Sequence, residues 1–133
     1  MVLDASALLT LLTDEAGASD VAAVIGDSMI SSVNLAEVAG KLADYGMNDT
    51  DIKRALSIGV GVVEFTAEHA AAATKIRRKT ASHDLSLGDR ACLATAMLAK
   101  APALTADPVW QEVKIPGIKV KLIKRSTKNR PRR

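Results

Sequence analysis

Short apolar runs alternate with amphipathic stretches along almost the whole chain, and this alternation restricts the fold more than any other feature. Residues 1–4 (Met1-Val2-Leu3-Asp4) read as a strand. Ala7, Leu8, Leu9, Leu11 and Leu12 then give one apolar helical face that runs to Asp14 and is broken at Gly17. A second short helix is predicted over residues 20–25, a strand over 28–31, a helix over 35–45 closed by Gly46, and a further helix over 49–58. Residues 60–65 form a β-rich run, and Thr66 caps a helix over 67–79. A loop at 80–86 leads to an Ala- and Leu-rich helix over 87–100 and a buried strand over 103–105. Pro116-Gly117 makes a turn before residues 118–123, whose alternate basic residues suit an edge strand. Strands separated by helices predict an α/β fold with a mainly parallel sheet covered on both faces.

Length and composition narrow this further. A chain of 133 residues predicts a single domain, here 1–123, followed by a basic, disordered tail at 124–133. The chain is 48% hydrophobic but only 2% aromatic (Tyr45, Phe65 and Trp110), so the core must be Ala, Val, Leu and Ile. So few aromatics argue against a stacking platform for single-stranded nucleic acid. The one cysteine, Cys92, excludes an internal disulfide and a cysteine-based zinc site, and its apolar helical context makes it a buried structural thiol. That suits a reducing cytoplasm. No apolar run approaches the roughly 20 residues that span a bilayer, and no basic leader precedes the first strand, so a cytoplasmic protein with no membrane partner is expected.

The net charge of +3 conceals a segregation of charge. Residues 114–133 hold 9 of the 18 basic residues and no acid, whereas 1–113 hold 9 basic and all 15 acidic residues. A basic end on an acidic body suits a phosphate-binding arm and equally suits a solvated tail.

Four acids sit where elements begin or end: Asp4 after the first strand, Glu37 and Asp89 in the first turns of helices, and Asp107 after the strand at 103–105. Each has a local explanation. Asn34-x-x-Glu37 and Ser86-x-x-Asp89 have capping-box spacing, Asp107 precedes Pro108 as an N-cap does, and Asp4 or Ser6 can cap the first helix. Two considerations favour a shared site. Asp4 and Glu37 stand among apolar neighbours, where a lone carboxylate is costly. In a parallel sheet, moreover, ligands gather outside the carboxyl ends of the strands. Clustered oxygen ligands are what a hard divalent metal requires.

Val2-Leu3-Asp4-Ala5-Ser6, Val33-Asn34-Leu35-Ala36-Glu37-Val38, Leu87-Gly88-Asp89-Arg90-Ala91 and Leu104-Thr105-Ala106-Asp107, in this order, resemble the signature of PIN-domain ribonucleases, and most closely the VapC-type toxins of bacterial toxin–antitoxin pairs. The resemblance covers about residues 1–123. It implies a three-layer α/β/α sandwich and a metal-dependent endoribonuclease in which Asp4, Glu37, Asp89 and Asp107 surround Mg²⁺ or Mn²⁺. Asp4 and Asp89 would be the most direct ligands, and Glu37 and Asp107 would act through water or a second metal. Ser6 and Thr105 match hydroxyls that orient water, and Asn34 matches a polar residue preceding the Glu. RNA as substrate, a cognate antitoxin as partner and homodimerisation are further implications.

Arg77-Arg78-Lys79 and Arg90 are candidate phosphate guides; the cluster could instead be a solvated helix end, and Arg90 could pair with an acid of the site. His69 and His83 lie outside the motifs and are expected at the surface or in loops. Two other readings stay open: a non-catalytic PIN-like module that binds RNA or protein, and a phosphotransfer domain with Asp4 as nucleophile. The second is weakened by Ser6, which stands where such enzymes place another Asp.

Overall fold

Five strands pair in parallel: β1 (Val2–Leu3), β2 (Met29–Ser31), β3 (Gly61–Val63), β4 (Ala103–Thr105) and β5 (Val120–Leu122), in the spatial order β3-β2-β1-β4-β5. The computed structural model describes residues 1–123; the expected tail lies outside the described residues. The sheet is entirely parallel, and β5 is an edge strand, as its alternating lysines suggested. Six α-helices connect the strands: α1 (Ala5–Leu12), α2 (Ala18–Val24), α3 (Ser32–Asp44), α4 (Asp49–Ala55), α5 (Ala67–Lys79) and α6 (Leu87–Ala99).

Strand alternation divides the core into two layers. Val2 and Ala103 face α5 and α6, packing with Ala73, Ile76, Leu93 and Trp110. Their neighbours Leu3 and Leu104, with Ile30, face the other way, onto Leu8, Val21, Val38 and Leu42 from α1, α2 and α3. The result is the three-layer sandwich, built from small aliphatic residues because the composition offers little else.

Local chemistry explains most element boundaries. Thr66 caps α5 and Gly46, at φ 92°, closes α3. Three short 3₁₀ turns, Ile25–Asp27, Ala81–His83 and Pro108–Glu112, were not foreseen as helical. The largest departure is α3, which begins at Ser32 rather than Leu35. Ser31 ends β2 and at once caps the helix, its hydroxyl accepting the Val33 N–H at 3.2 Å, so no loop intervenes.

The strand order reverses beside β1. The chain steps outward from β1 to β2 and β3, then returns to place β4 on the other side of β1. Connections leave β1 and β4 toward opposite faces, which opens a crevice at their carboxyl ends.

Candidate functional site

Asp4 occupies that crevice. Its N–H donates to the Leu104 carbonyl at 3.0 Å, and its side chain caps α1, Oδ1 accepting the Ala7 N–H at 2.8 Å. The Ser6 hydroxyl donates to the same Oδ1 at 2.7 Å, and the Thr105 hydroxyl donates to Oδ2 at 2.6 Å. Backbone amides orient both hydroxyls: Ala106 N–H donates to Ser6 Oγ and Asp107 N–H to Thr105 Oγ1, each at 3.0 Å. The hydroxyl protons are thereby left for Asp4. Ser6 and Thr105 hold the carboxylate, where the sequence had suggested that they orient water.

Asp4 is only 5% exposed. Burial raises its carboxyl from 3.8 to about 6, against the opposing pull of the Thr105, Ser6 and Ala7 donors and with a further push from the Asp89 charge. It is the one buried acid of the four. Asp89 is half-buried, and Glu37 and Asp107 are exposed. The expectation that Glu37 is embedded in apolar surroundings is therefore corrected. Val38 is buried, but successive residues on a helix point about 100° apart, and Glu37 faces outward.

The capping explanations divide. Asp89 completes a capping box, Oδ2 accepting the Ser86 N–H at 3.0 Å while Ser86 Oγ accepts the Asp89 N–H at 3.1 Å. Asp107 caps the Pro108–Glu112 turn, Oδ1 accepting the Val109 N–H at 3.0 Å. Glu37 caps nothing, because α3 starts a turn earlier. Asn34 Nδ2 donates instead to Glu37 Oε1 and to the Gly88 carbonyl, both at 2.9 Å, and so ties α3 to the first turn of α6. Asn34 Oδ1 is buried without a hydrogen-bond partner among the described residues. The two helices approach so closely that a Cβ on Gly88 would collide with the Glu37 carboxylate. Gly88 is thus a site residue with no local signal in the sequence beyond its place beside Asp89.

All four acids line one cleft of about 550 Å³, with Ser6 and Asn34. Lys41 and Asp44, one and two turns along α3 from Glu37, also line it and were missed because they belong to no motif. Among the described residues the lining therefore carries five carboxylates and one ammonium. Among the described residues, however, no three acid, histidine or cysteine side chains stand grouped as a ready metal-ligand set. The acids share a cleft without closing on a common point. The donor chemistry, oxygen only with one carboxylate desolvated at the floor, suits a hard divalent cation.

Beneath the cleft, Cys92 is fully buried. Desolvation pushes its thiol up, and the charges of Asp4, Asp89 and Glu37 push it further, as befits an inert structural residue. The basic candidates lie elsewhere. Arg77 and Arg90 line a separate cavity of about 200 Å³ with Asp84, and Arg90 Nη1 donates to the Leu85 carbonyl at 3.0 Å, fixing the loop before α6. His69, expected at the surface, is buried as the third residue of α5, its Nδ1 accepting the Thr66 N–H at 3.2 Å. His83 lies in the Ala81–His83 turn, outside the cleft.

The PIN domain family model matches residues 1–116, and the chain belongs to that family. No curated protein matches the sequence significantly. Among solved structures, VapBC2 from Rickettsia felis bound to a promoter DNA fragment superposes with a TM-score of 0.73 at 14% identity, covering 91% of this chain and 96% of that one. A toxin–antitoxin complex from Klebsiella pneumoniae gives 0.70 at 23% identity, with 88% and 93% covered. DNA-bound VapBC from Salmonella typhimurium gives 0.66 at 18% identity, with 92% and 97% covered. At these identities the likeness defines the fold. Among the described residues no helix is long and apolar enough to cross a membrane.

Proposed function

We propose that this protein is a VapC-type toxin, a cytoplasmic endoribonuclease dependent on Mg²⁺ or Mn²⁺ and neutralised by a cognate antitoxin. The observation that carries the reading is Asp4: a carboxylate desolvated at the switch point of a PIN fold, with Asp89, Glu37 and Asp107 lining the same cleft. A buried carboxylate with a raised pKa beside other acids is a cost to the fold unless a cation offsets it. Asp4, Asp89, Glu37 and Asp107 would hold that cation, which supplies acidification of water and neutralisation of charge on phosphate oxygens.

The chain's own residues do the rest. Ser6, Thr105 and the Ala7 N–H fix the carboxylate plane of Asp4. The Asn34 amide and the absence of a side chain at Gly88 fix Glu37 against the first turn of α6, where Asp89 is held by Ser86. Asp89 Oδ1 and Asp107 Oδ2 are the oxygens not engaged with helix N–H groups. Hydrolysis at such a site leaves a 5′-phosphate and a 3′-hydroxyl. Fold neighbours that are toxin–antitoxin complexes support the antitoxin partner, and a homodimer is the assembly we expect.

One observation favours a second reading, a non-catalytic PIN-like module binding RNA or protein: Asp89 and Asp107 cap helices, and no ligand set is ready-made. Incubation of RNA with Mg²⁺ or Mn²⁺ and with chelator decides between them. Cleavage that requires metal and disappears in Asp89→Asn supports the enzyme; no cleavage and no heat of Mn²⁺ binding supports the module.

A further inference from the structure

RNA meets an obstacle at this cleft. Among the described residues five carboxylates and Lys41 line it, a balance that by itself repels phosphate and favours a polyanion contact elsewhere on the surface. A cavity of about 370 Å³ lies at the opposite pole of the sheet, where α6 ends and β4 and β5 begin. Among the described residues Lys100, Lys119 and Lys121 line it together with Ala101, Pro102 and Gly117, and no acid does. The lysines come from two separate segments. Lys100 is the C-cap of α6, held at φ 55° as the chain turns toward β4. Lys119 immediately precedes β5 and Lys121 lies within it, two residues on and therefore on the same face of the edge strand. The Ala103 N–H donates to the Lys119 carbonyl at 2.9 Å and locks the two segments together. All three lysines are exposed. Among the described residues the one ion pair is Arg54–Asp51, so none of the three is neutralised by a carboxylate.

We propose that the Lys100–Lys119–Lys121 cavity is a phosphate-binding exosite that holds the backbone of a nucleic-acid strand whose reacting segment lies in the acidic cleft. The proposal rests on the nuclease reading for the identity of that strand as RNA and for its reacting segment in the cleft; the lysine–phosphate contact itself does not depend on it. Strand β4 leads from one site to the other: Ala101 and Pro102 precede it in the lysine cavity, and Asp107 follows it in the cleft. β4 is buried and covered on both faces, so the nucleic-acid strand passes around the outside of the sheet, a path longer than the roughly 10 Å of a three-residue strand. Ammonium groups are point charges that engage phosphate without reading bases, so the exosite adds affinity and not sequence preference.

The test uses the full chain in chelator, so that nothing is cleaved. Binding of a labelled single-stranded RNA of about 20 nucleotides is measured across a salt series, with a slope near −0.7 expected per phosphate neutralised. Lys100→Gln/Lys119→Gln/Lys121→Gln should reduce the slope by about 2 and weaken binding about 100-fold near 0.1 M salt. Lys53→Gln/Arg54→Gln/Lys75→Gln removes equal charge elsewhere and should change the slope little. Single-stranded DNA of the same length should lose as much as RNA. An unchanged slope in the lysine triple variant, an equal loss in the control variant, or a loss confined to RNA overturns the exosite. Cleavage of a short RNA in Mn²⁺ is measured beside it; that activity should survive the lysine substitutions, and its absence in the wild type indicts the nuclease reading while leaving the exosite to stand on its binding data.

Discussion

At Asp4 two demands conflict. Three donors favour the charged carboxylate, yet burial outweighs them and lifts its pKa to about 6. The folded chain therefore binds a proton more tightly than the unfolded one, whose value is 3.8. Stability from this group is fully present below pH 3.8 and is lost as pH rises through about 6. A shift of this size corresponds to about 3 kcal/mol at neutral pH. Asp4→Asn removes the titration and keeps an acceptor for Ser6 and Ala7. The variant should be inactive yet no less stable than wild type at pH 7 without metal. Its stability, measured by urea denaturation, should also lack the decline of about 2 kcal/mol that the wild-type carboxyl contributes between about pH 4.5 and pH 7. A wild type with the same pH dependence as the variant would show that Asp4 is not desolvated. Cys92 gives a second residue-scale expectation: fully buried with its thiol pushed up, it should resist alkylating reagents until the protein unfolds.

Among the elements, the seam between α3 and α6 decides the shape of the site. Asn34 and Gly88 set it, the first by bridging Glu37 to α6 and the second by leaving room for the Glu37 carboxylate. In Gly88→Ala the new Cβ displaces Glu37, which is exposed and able to swing into solvent. The fold should lose about 1 kcal/mol, at the low end for overpacking. Cleavage should fall by at least about tenfold, a barrier increase of about 1.4 kcal/mol. Melting curves and single-turnover rates separate the two effects; unchanged cleavage would remove the seam from the site. This seam was the least legible part of the sequence. Hydrophobic periodicity located α5 and β4 to the residue, because Thr66 and the run at 103–105 are unambiguous local signals. It placed α3 a turn late, because Ser31 serves two elements at once and a strand leading straight into a helix leaves no loop to read. That error made Asn34 look like a cap and hid its contact with Gly88, 54 residues away, which no local pattern encodes. The acids themselves were legible from order and spacing; their unequal burial was not, since it depends on which helix face meets the sheet.

For the whole molecule, topology and charge act together. The strand reversal beside β1 creates the crevice, acids from β1, α3, α6 and the end of β4 line it, and lysines gather at the other pole. Among the described residues the acidic pole carries five carboxylates against one ammonium, so a cation that binds the folded state should raise global stability by mass action. At a concentration about 100 times the dissociation constant the gain is about 2.7 kcal/mol. For a domain of this size that is on the order of 10 °C in Tm. The gain should be larger at pH 7 than at pH 5, because Asp4 protonates through about pH 6 and a proton then competes with the cation. Asp4→Asn and Asp89→Asn should each abolish most of the increment, whereas Asp51→Asn, on exposed α4, should retain it. Scanning calorimetry with Mn²⁺ at the two pH values reads all of these at once. A Tm indifferent to Mn²⁺ at pH 7 would leave the buried carboxylate without its counter-charge and return the chain to the non-catalytic reading.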